Sequence, residues 1–296
     1  MKTIKIAAAF LLMMAVTTGI KAQTEQKEQL TVPLSEPGKP FKLNVGLVNG
    51  SIKVVSYEGK DIVIDVQSGS STEKRARKAG RDGGVNVNVN VNTNVNNEKS
   101  NSGGMKRINA GNNFDVSAEE KNNRVTVHSD SWKGAITLTI KVPQSEANLK
   151  LSTVNDGDID VTNVNGEIEI SNTNGAIHLT NVSGSVVANT VNGSVVATFK
   201  SIDTKAAMAF STLNGNVDVT FPATFKGNVK LKTDMGEMYT DFDIETDKSQ
   251  AKVNRTNQGG MYRVSTDNWI YGKINGGGPE IMMKNMTGNI YIRKAK

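Results

Sequence analysis

Glycine recurs every nine residues between Leu151 and Val196 and divides this stretch into repeating units. Apolar residues occupy the second and fourth positions after each glycine, and polar residues mostly fill the places between. Apolar residues two apart point to one face of a β-strand, and Asn-Gly or Ser-Gly between such strands is typical of a tight turn. Each unit is therefore predicted to be a short strand plus a turn. The predicted structural turn glycines are Gly157, Gly166, Gly175, Gly184, Gly193 and, after a longer interval, Gly215.

The turn sequences alternate between two types, so that every second unit is the better match. Ser171–Asn174 resembles Asn189–Asn192, whereas Thr162–Asn165 resembles Thr180–Ser183. This alternation indicates a structural repeat of about eighteen residues with two short strands in each coil. A repeat of this length is typical of a solenoid, in which each coil buries its inner face against the next. An antiparallel meander of nine-residue hairpins would explain the turns but not their alternation. The sequence therefore favours an all-β, parallel β-solenoid.

A family resemblance strengthens this interpretation. Val142-Pro143, the segment 149–157, the Gly-x-Ile-x-Val units that follow it and the terminal segment 287–292 resemble the bacterial putative-adhesin family of β-strand-repeat proteins. The resemblance is one of repeats and brings no catalytic signature. It implies an exported envelope protein with a β-solenoid fold, whose domain has no established function.

The first residues predict export. Lys2 and Lys5 precede an apolar run over residues 6–16, and small residues near Ala22 offer a cleavage site, so we predict a signal peptide at 1–22. No later apolar stretch reaches the roughly 18 residues that span a bilayer. The sequence contains no cysteine, which excludes disulfides, thiol catalysis and lipid attachment at a cysteine. The expected location is the periplasm, the outer cell surface or the medium.

Three further segments follow in the predicted organisation. Residues 23–40 are polar, carry three prolines and are expected to form a leader. Residues 41–296 are expected to form the solenoid, with its first coils at 41–66, an additional hairpin near 115–127 and a low-complexity insertion at about 68–113. The insertion combines the basic run 74–81 with strict valine–asparagine alternation over 85–95. It is open to three interpretations: a mobile loop, an extra hairpin, or an element of self-association.

Charge and polar clusters supply weaker signals. Cleavage of the predicted signal peptide would remove Lys2, Lys5 and Lys21 and lower the formal net charge from +6 to +3, so a nucleic-acid partner is not expected. Asp156, Asp158 and Asp160 alternate as calcium ligands can, but the glycine of a calcium loop is misplaced, and a polar turn is the simpler interpretation.

The two histidines of the chain, His128 and His178, would need to meet for zinc binding, and surface positions fit them better. In an eighteen-residue stack His178 would lie one coil above Asp160. No metal or cofactor is expected.

Catalysis would need two groups that converge on a groove. The outward carboxylates Asp160 and Glu169 should fall on opposite sheets, too far apart to cooperate. The asparagines Asn163, Asn165, Asn172, Asn174, Asn181 and Asn192 are interpreted as structural ladders at turns. The late aromatic residues Tyr262, Trp269, Tyr271 and Tyr291 could form a sugar platform or close the end of the solenoid.

The sequence therefore favours a non-enzymatic envelope protein that offers its surface to a glycan or protein partner. A carbohydrate-active enzyme on a β-helix and a purely structural or sensory envelope module are the alternatives. The sequence does not specify an oligomeric state.

Overall fold

Strands make up nearly all of the regular structure. The computed structural model describes residues 27–68, 115–129, 134–155, 157–203, 206–247 and 269–296, and the backbone of 252–258 and 261–267. The predicted signal peptide and nearly all of the predicted insertion lie outside the described residues. The strands are β1 (Lys27–Val32), β2 (Phe41–Tyr57), β3 (Ile62–Ser68), β4 (Val116–Lys121), β5 (Arg124–Ser129), β6 (Ile136–Pro143), β7 (Ala147–Asn155), β8 (Ile159–Thr162), β9 (Asn165–Asn174), β10 (Ile177–Asn192), β11 (Val195–Ile202), β12 (Met208–Asn214), β13 (Val217–Phe221), β14 (Gly227–Met235), β15 (Met238–Thr240), β16 (Ile244–Asp247), β17 (Lys252–Gln258), β18 (Met261–Asp267), β19 (Ile270–Ile274), β20 (Glu280–Thr287) and β21 (Ile290–Lys294).

The predicted coil is confirmed: two strands per turn, stacked in parallel. Ile159 pairs with Ile177 and Ile177 with Val195, which is a step of eighteen residues each time. The strands form two facing sheets, here called face A and face B. Face A runs β5, the first half of β2, β7, β9, the second half of β10, β12, β20 and β14. Face B runs β6, the second half of β2, β8, the first half of β10, β11, β13, β21 and β15.

The order of the coils in the stack differs from their order in the chain at both ends. The coil formed by β2 lies between the β5–β6 coil and the β7–β8 coil. The terminal coil β20–β21 lies between β12–β13 and β14–β15. The sequence placed residues 41–66 as the first coils, and this was wrong: β2 is an inserted coil and β3 is an antiparallel strand. The coil of β2 and the coil of β20–β21 are therefore each hydrogen-bonded to a neighbouring coil on both sides.

Antiparallel strands cover the two ends of the stack. At one end β4 pairs with β5 as the predicted hairpin, β3 pairs with β6, and β1 pairs with β3. At the other end β19 pairs with β14 and β16 pairs with β19. Strand β1 comes from within the stretch that the sequence assigned to a polar leader. These strands pair with the outer edges of β5, β6 and β14, which would otherwise be open to another chain, whereas the pairing described for β15 is with β21.

The core is the narrow space between the two faces. The predicted inward residues Ile159, Val161, Ile168, Ile170, Ile177, Leu179, Val186, Ala188, Val195 and Ala197 are all buried. Towards the C-terminal end larger side chains fill the space: the rings of Phe199 and Phe221 stack with centroids 5.5 Å apart, and those of Phe221 and Phe225 at 4.4 Å. Each apolar side chain contributes about 1.5–3 kcal/mol, so stability accumulates coil by coil.

Candidate binding surface

The corner that leads from face A to face B is built on a column of glycines. A Cβ on Gly175 would lie 2.0 Å from the carbonyl oxygen of Gly157, and one on Gly193 would lie 2.2 Å from that of Gly175. Gly157 and Gly215 stand in the same column, where a Cβ would meet the backbone of the adjoining coil in the same way. Glycine at these places lets successive coils approach each other at the spacing of a β-sheet.

Gly166 and Gly184 lie at the opposite corner, where an added Cβ would likewise lie 2.0 and 2.1 Å from a carbonyl oxygen of the adjoining coil. Their φ angles are 132° and 103°, which L-residues with side chains rarely adopt. A positive φ is found at Gly184, and also at Gly193 and Gly215 of the first column, whereas Gly175 is restricted by close approach and has no positive φ. That glycine is required at all six predicted turn positions stays a prediction.

A buried polar ladder lies directly inside the glycine corner. Asn172 donates from Nδ2 to the carbonyl oxygen of Gly157 at 3.0 Å, and Thr212 donates from Oγ1 to that of Gly193 at 2.7 Å. The same contact to the adjoining coil is made by Thr153, Thr190, Thr233 and Asn285. Asn172 was predicted to belong to a ladder at the turns, and the inward set was not predicted. These residues could have been found from their spacing, because each lies an even number of positions from an inward apolar residue of its own strand and therefore also points inward.

An asparagine ladder runs outside the same corner. Asn174 donates from Nδ2 to Oδ1 of Asn155 at 3.4 Å, Asn192 donates to Asn174 at 2.9 Å, and Asn214 donates to Asn192 at 2.8 Å. The predicted ladder is confirmed for Asn174 and Asn192. Asn163 and Asn181 instead adopt left-handed φ angles of 57° and 53° at the opposite corner.

A row of exposed apolar side chains lies beside this ladder on face A. Its members share one position, the residue just before the ladder residue in each coil: Val48, Val154, Thr173, Val191, Leu213 and Met286. The exposed fractions of the five apolar members lie between 38% and 49%. We call this row, together with Asn49, Asn155, Asn174, Asn192, Asn214 and Thr287, the uncharged strip. It follows the long axis of the solenoid across six coils.

This architecture matches a known family along almost its whole length. A family model, Toastrack DUF4097, matches residues 7–292. The chain belongs to the Toastrack family. Two solved structures are similar to this Toastrack protein. A putative cell adhesion protein from Clostridium sporogenes is 12% identical with a TM-score of 0.44, over 92% of this chain and 100% of the other. A putative adhesin from Bacteroides fragilis is 9% identical with a TM-score of 0.29, over 93% and 98% of the two chains. No curated protein matches the sequence.

The acidic turn of this Toastrack protein is engaged in contacts between coils. Asp158 accepts a hydrogen bond from the main-chain N–H of Ala176 at 2.8 Å, and Asp160 contacts Nδ1 of His178 at 2.9 Å, as the eighteen-residue stack predicted. Asp156 lies outside the described residues. His128 is on β5 of face A and His178 on face B, so the two histidines do not meet. No group of three metal-ligating side chains occurs in the part of the chain that the structure describes.

The carboxylates weighed for catalysis lie on different faces. Asp160 belongs to β8 on face B, and Glu169 belongs to β9 on face A, where Lys150 contacts it at 3.0 Å. This confirms the prediction that the two carboxylates fall on opposite sheets. The pair offers no convergent acid and base.

The late aromatic residues divide between the two faces. On face B the rings of Tyr239 and Tyr291 stack at 5.2 Å, and Arg293 beside them makes a two-point contact with Asp218 at 2.7 and 2.9 Å. The hydrogen bond to Glu237 raises the pKa of Tyr239, and the contact with Asp218 raises the pKa of Arg293.

On face A the end strand β19 carries Tyr271, and Trp269 directly precedes this strand. Lys230 lies over both rings, with its Nζ 4.7 Å from the Trp269 centroid and 5.8 Å from that of Tyr271. These two aromatic residues therefore pack at the C-terminal end of the stack, while the side chain of Tyr262 is outside the described set. Among the residues described, none forms a helix with the length and apolarity needed to cross a bilayer.

Proposed function

We propose that this Toastrack protein is a non-enzymatic, exported envelope protein that binds a glycan or protein partner with the outer surface of its solenoid. The observation that carries the proposal is the uncharged strip. Exposed apolar side chains that are scattered singly are ordinary on soluble proteins, whereas here five of them are aligned in one row, which makes the row a candidate contact surface. Here the apolar side chains repeat once per coil, so the surface is a product of the fold itself.

Export is supported by the N-terminal sequence, in which Lys2 and Lys5 precede the apolar run 6–16. The absence of cysteine from the sequence fits a protein whose stability comes from stacked coils rather than disulfides. The non-enzymatic assignment is supported by the separation of Asp160 and Glu169 on opposite faces. It is further supported by the use of Asp158 and Asp160 in contacts between coils.

The test is co-sedimentation of the purified protein with isolated envelopes of the producing organism, together with a polysaccharide-hydrolysis screen. We expect saturable binding without turnover. Turnover that is lost in Asp160→Asn would support the carbohydrate-active enzyme and contradict the proposal. The absence of saturable binding would leave the purely structural module as the better account.

A further inference from the structure

Much of the exposed apolar surface on the described residues lies in the uncharged strip. Half of the large apolar side chains that are exposed on the described residues lie in this one row: Val48, Val154, Val191, Leu213 and Met286. The outward position Thr173 completes the row between Val154 and Val191. Elsewhere the outward faces carry ion pairs such as Lys150–Glu169 and Arg293–Asp218. The row is thus a specific feature and not the average character of the surface.

The strip is also uncharged throughout, in a chain of which 22% of the residues are charged. None of its twelve members is an Asp, Glu, Lys or Arg. The strip ends at the next coil, which β14 forms, because Asp234 there occupies the position that matches Met286 in the row. A partner that depended on ionic attraction would find nothing to pair with along the strip. The complementary partner is therefore neutral.

The dimensions of the strip select a single polymer chain. Neighbouring strands lie about 4.8 Å apart, so the five steps from Val48 to Met286 span roughly 24 Å. The apolar row and the adjoining asparagine ladder are consecutive residues of each strand, so together they are about 7 Å wide and cover an area of roughly 170 Å². A stable protein–protein interface needs about 800 Å² from each partner, so the strip is too narrow for a second copy. A linear polymer that lies along the solenoid axis matches its shape.

The two rows of the strip have the chemistry of a sugar-binding surface. Sugar rings expose apolar C–H faces and hydroxyl-bearing edges, which correspond to the apolar row and the asparagine row. An amide has two N–H donors and two acceptor lone pairs. Asn192 uses one donor towards Asn174 and one acceptor towards Asn214, so further capacity remains for hydroxyl groups. An extended peptide would instead need an open strand edge, and the strip strands from β2 to β20 are paired on both sides.

We propose that the uncharged strip binds a neutral, linear polysaccharide lying along the solenoid axis, with the apolar row against the sugar rings and the asparagine ladder bonding their hydroxyl groups. The proposal rests on the proposed function and names the class of partner for the same surface. Val191 and Leu213, in the fourth and fifth of the six coils, lie within this contact.

The test compares two lysine substitutions on the same strand. Val191→Lys places a charge in the strip, whereas Val187→Lys places one four residues earlier on the same face, outside the strip. The two valines are similarly exposed, at 38% and 44%. Both variants should keep the wild-type melting temperature, because surface substitutions usually change stability by less than about 0.5 kcal/mol. The probes are cello-, chito-, laminari-, malto- and manno-oligosaccharides of increasing length, titrated calorimetrically into the full protein.

We expect at least one series to bind, with an affinity that rises with length and levels off once the chain spans the strip. Val191→Lys should weaken binding at least about tenfold, equivalent to 1.4 kcal/mol, while Val187→Lys binds as the wild type does. Equal binding by both variants would overturn the proposal. Failure of every neutral series to bind, or binding of acidic polysaccharides alone, would overturn it as well. In those cases co-sedimentation with envelopes still decides separately whether the protein binds any partner.

Discussion

The glycine corner makes a quantitative prediction at Gly175. In Gly175→Ala the new methyl group would lie 2.0 Å from the carbonyl oxygen of Gly157 and 2.8 Å from Nδ2 of Asn172. Real Cβ atoms essentially never approach another heavy atom closer than 3.0 Å, so the two coils must separate by about 1 Å. That movement strains the hydrogen bonds between these two coils, from the Ile159 N–H to the carbonyl oxygen of Ala176, at 3.0 Å, and the buried one from Asn172 to Gly157.

Overpacking of this kind costs about 1–3 kcal/mol, and each weakened hydrogen bond adds up to about 0.5–1.5 kcal/mol. In a chain of this size 1 kcal/mol lowers Tm by about 2–4 °C, so we expect Gly175→Ala to melt at least several degrees below the wild type. The assay is thermal unfolding followed by circular dichroism, with denaturant unfolding to give the free energy.

Gly134 provides the matched control. A Cβ there would meet nothing within 4 Å, and its φ is not positive. Gly134→Ala should therefore change the free energy of unfolding by less than about 0.5 kcal/mol. If Gly175→Ala and Gly134→Ala had the same melting temperature, the coils would have room for a side chain at position 175. That result would refute the close approach of coils at the glycine corner.

Three further tests, with four substitutions, address the core, the inner ladder and the N-terminal end. Ile168→Asp should abolish cooperative unfolding because it buries an unpaired carboxylate, whereas the adjacent Glu169→Gln should cost less than about 1 kcal/mol; similar melts would contradict the face assignment. Thr212→Val removes the 2.7 Å bond to Gly193 and should cost about 1–3 kcal/mol in denaturant unfolding, and an unchanged midpoint would show that the ladder is not stabilising. A hydrogen bond from Gln29, and then contact with Lys141, lowers the pKa of Asp65 from its ordinary value of 3.8. The ionised Asp65 therefore contributes fully to the stability of the fold above pH 3.8, and this contribution is lost as the pH falls through the lower pKa of the folded state. The free-energy difference between the wild type and Asp65→Asn should therefore shrink below about pH 4, and a constant difference would contradict this reading.

The repeat could be predicted from the sequence because its geometry is local. Alternation fixes which residues of a strand point inward, and the spacing of glycines fixes where the chain turns, so Ile168 and Glu169 could be assigned to opposite sides without a structure. The pairing of Asp160 with His178 followed from the eighteen-residue step alone. The same logic shows where the exposed valines of the strip lie once the coils are aligned.

The order of coils could not be predicted in this way. Every coil presents a similar apolar inner face, so the pattern says that β2 and β20 can stack but not which neighbours they take. Their insertion between other coils depends on contacts far apart in the chain, such as Leu43 with Leu149 and Phe210 with Met283. The inward side of Asn172 was not predicted for a related reason, because composition alone does not show whether an asparagine near a turn belongs to the outer or the inner ladder.

The absence of cysteine from the sequence allows the binding surface to be located directly. A single cysteine introduced as Leu213→Cys places one thiol in the strip, and Val187→Cys places one outside it on the same face. Each variant would carry an environment-sensitive fluorophore and be titrated with isolated envelopes of the producing organism. The account predicts a blue shift with saturation for the label at 213 and no change for the label at 187. A shift at 187 with none at 213 would place the partner elsewhere and contradict the central claim that the uncharged strip is the binding surface.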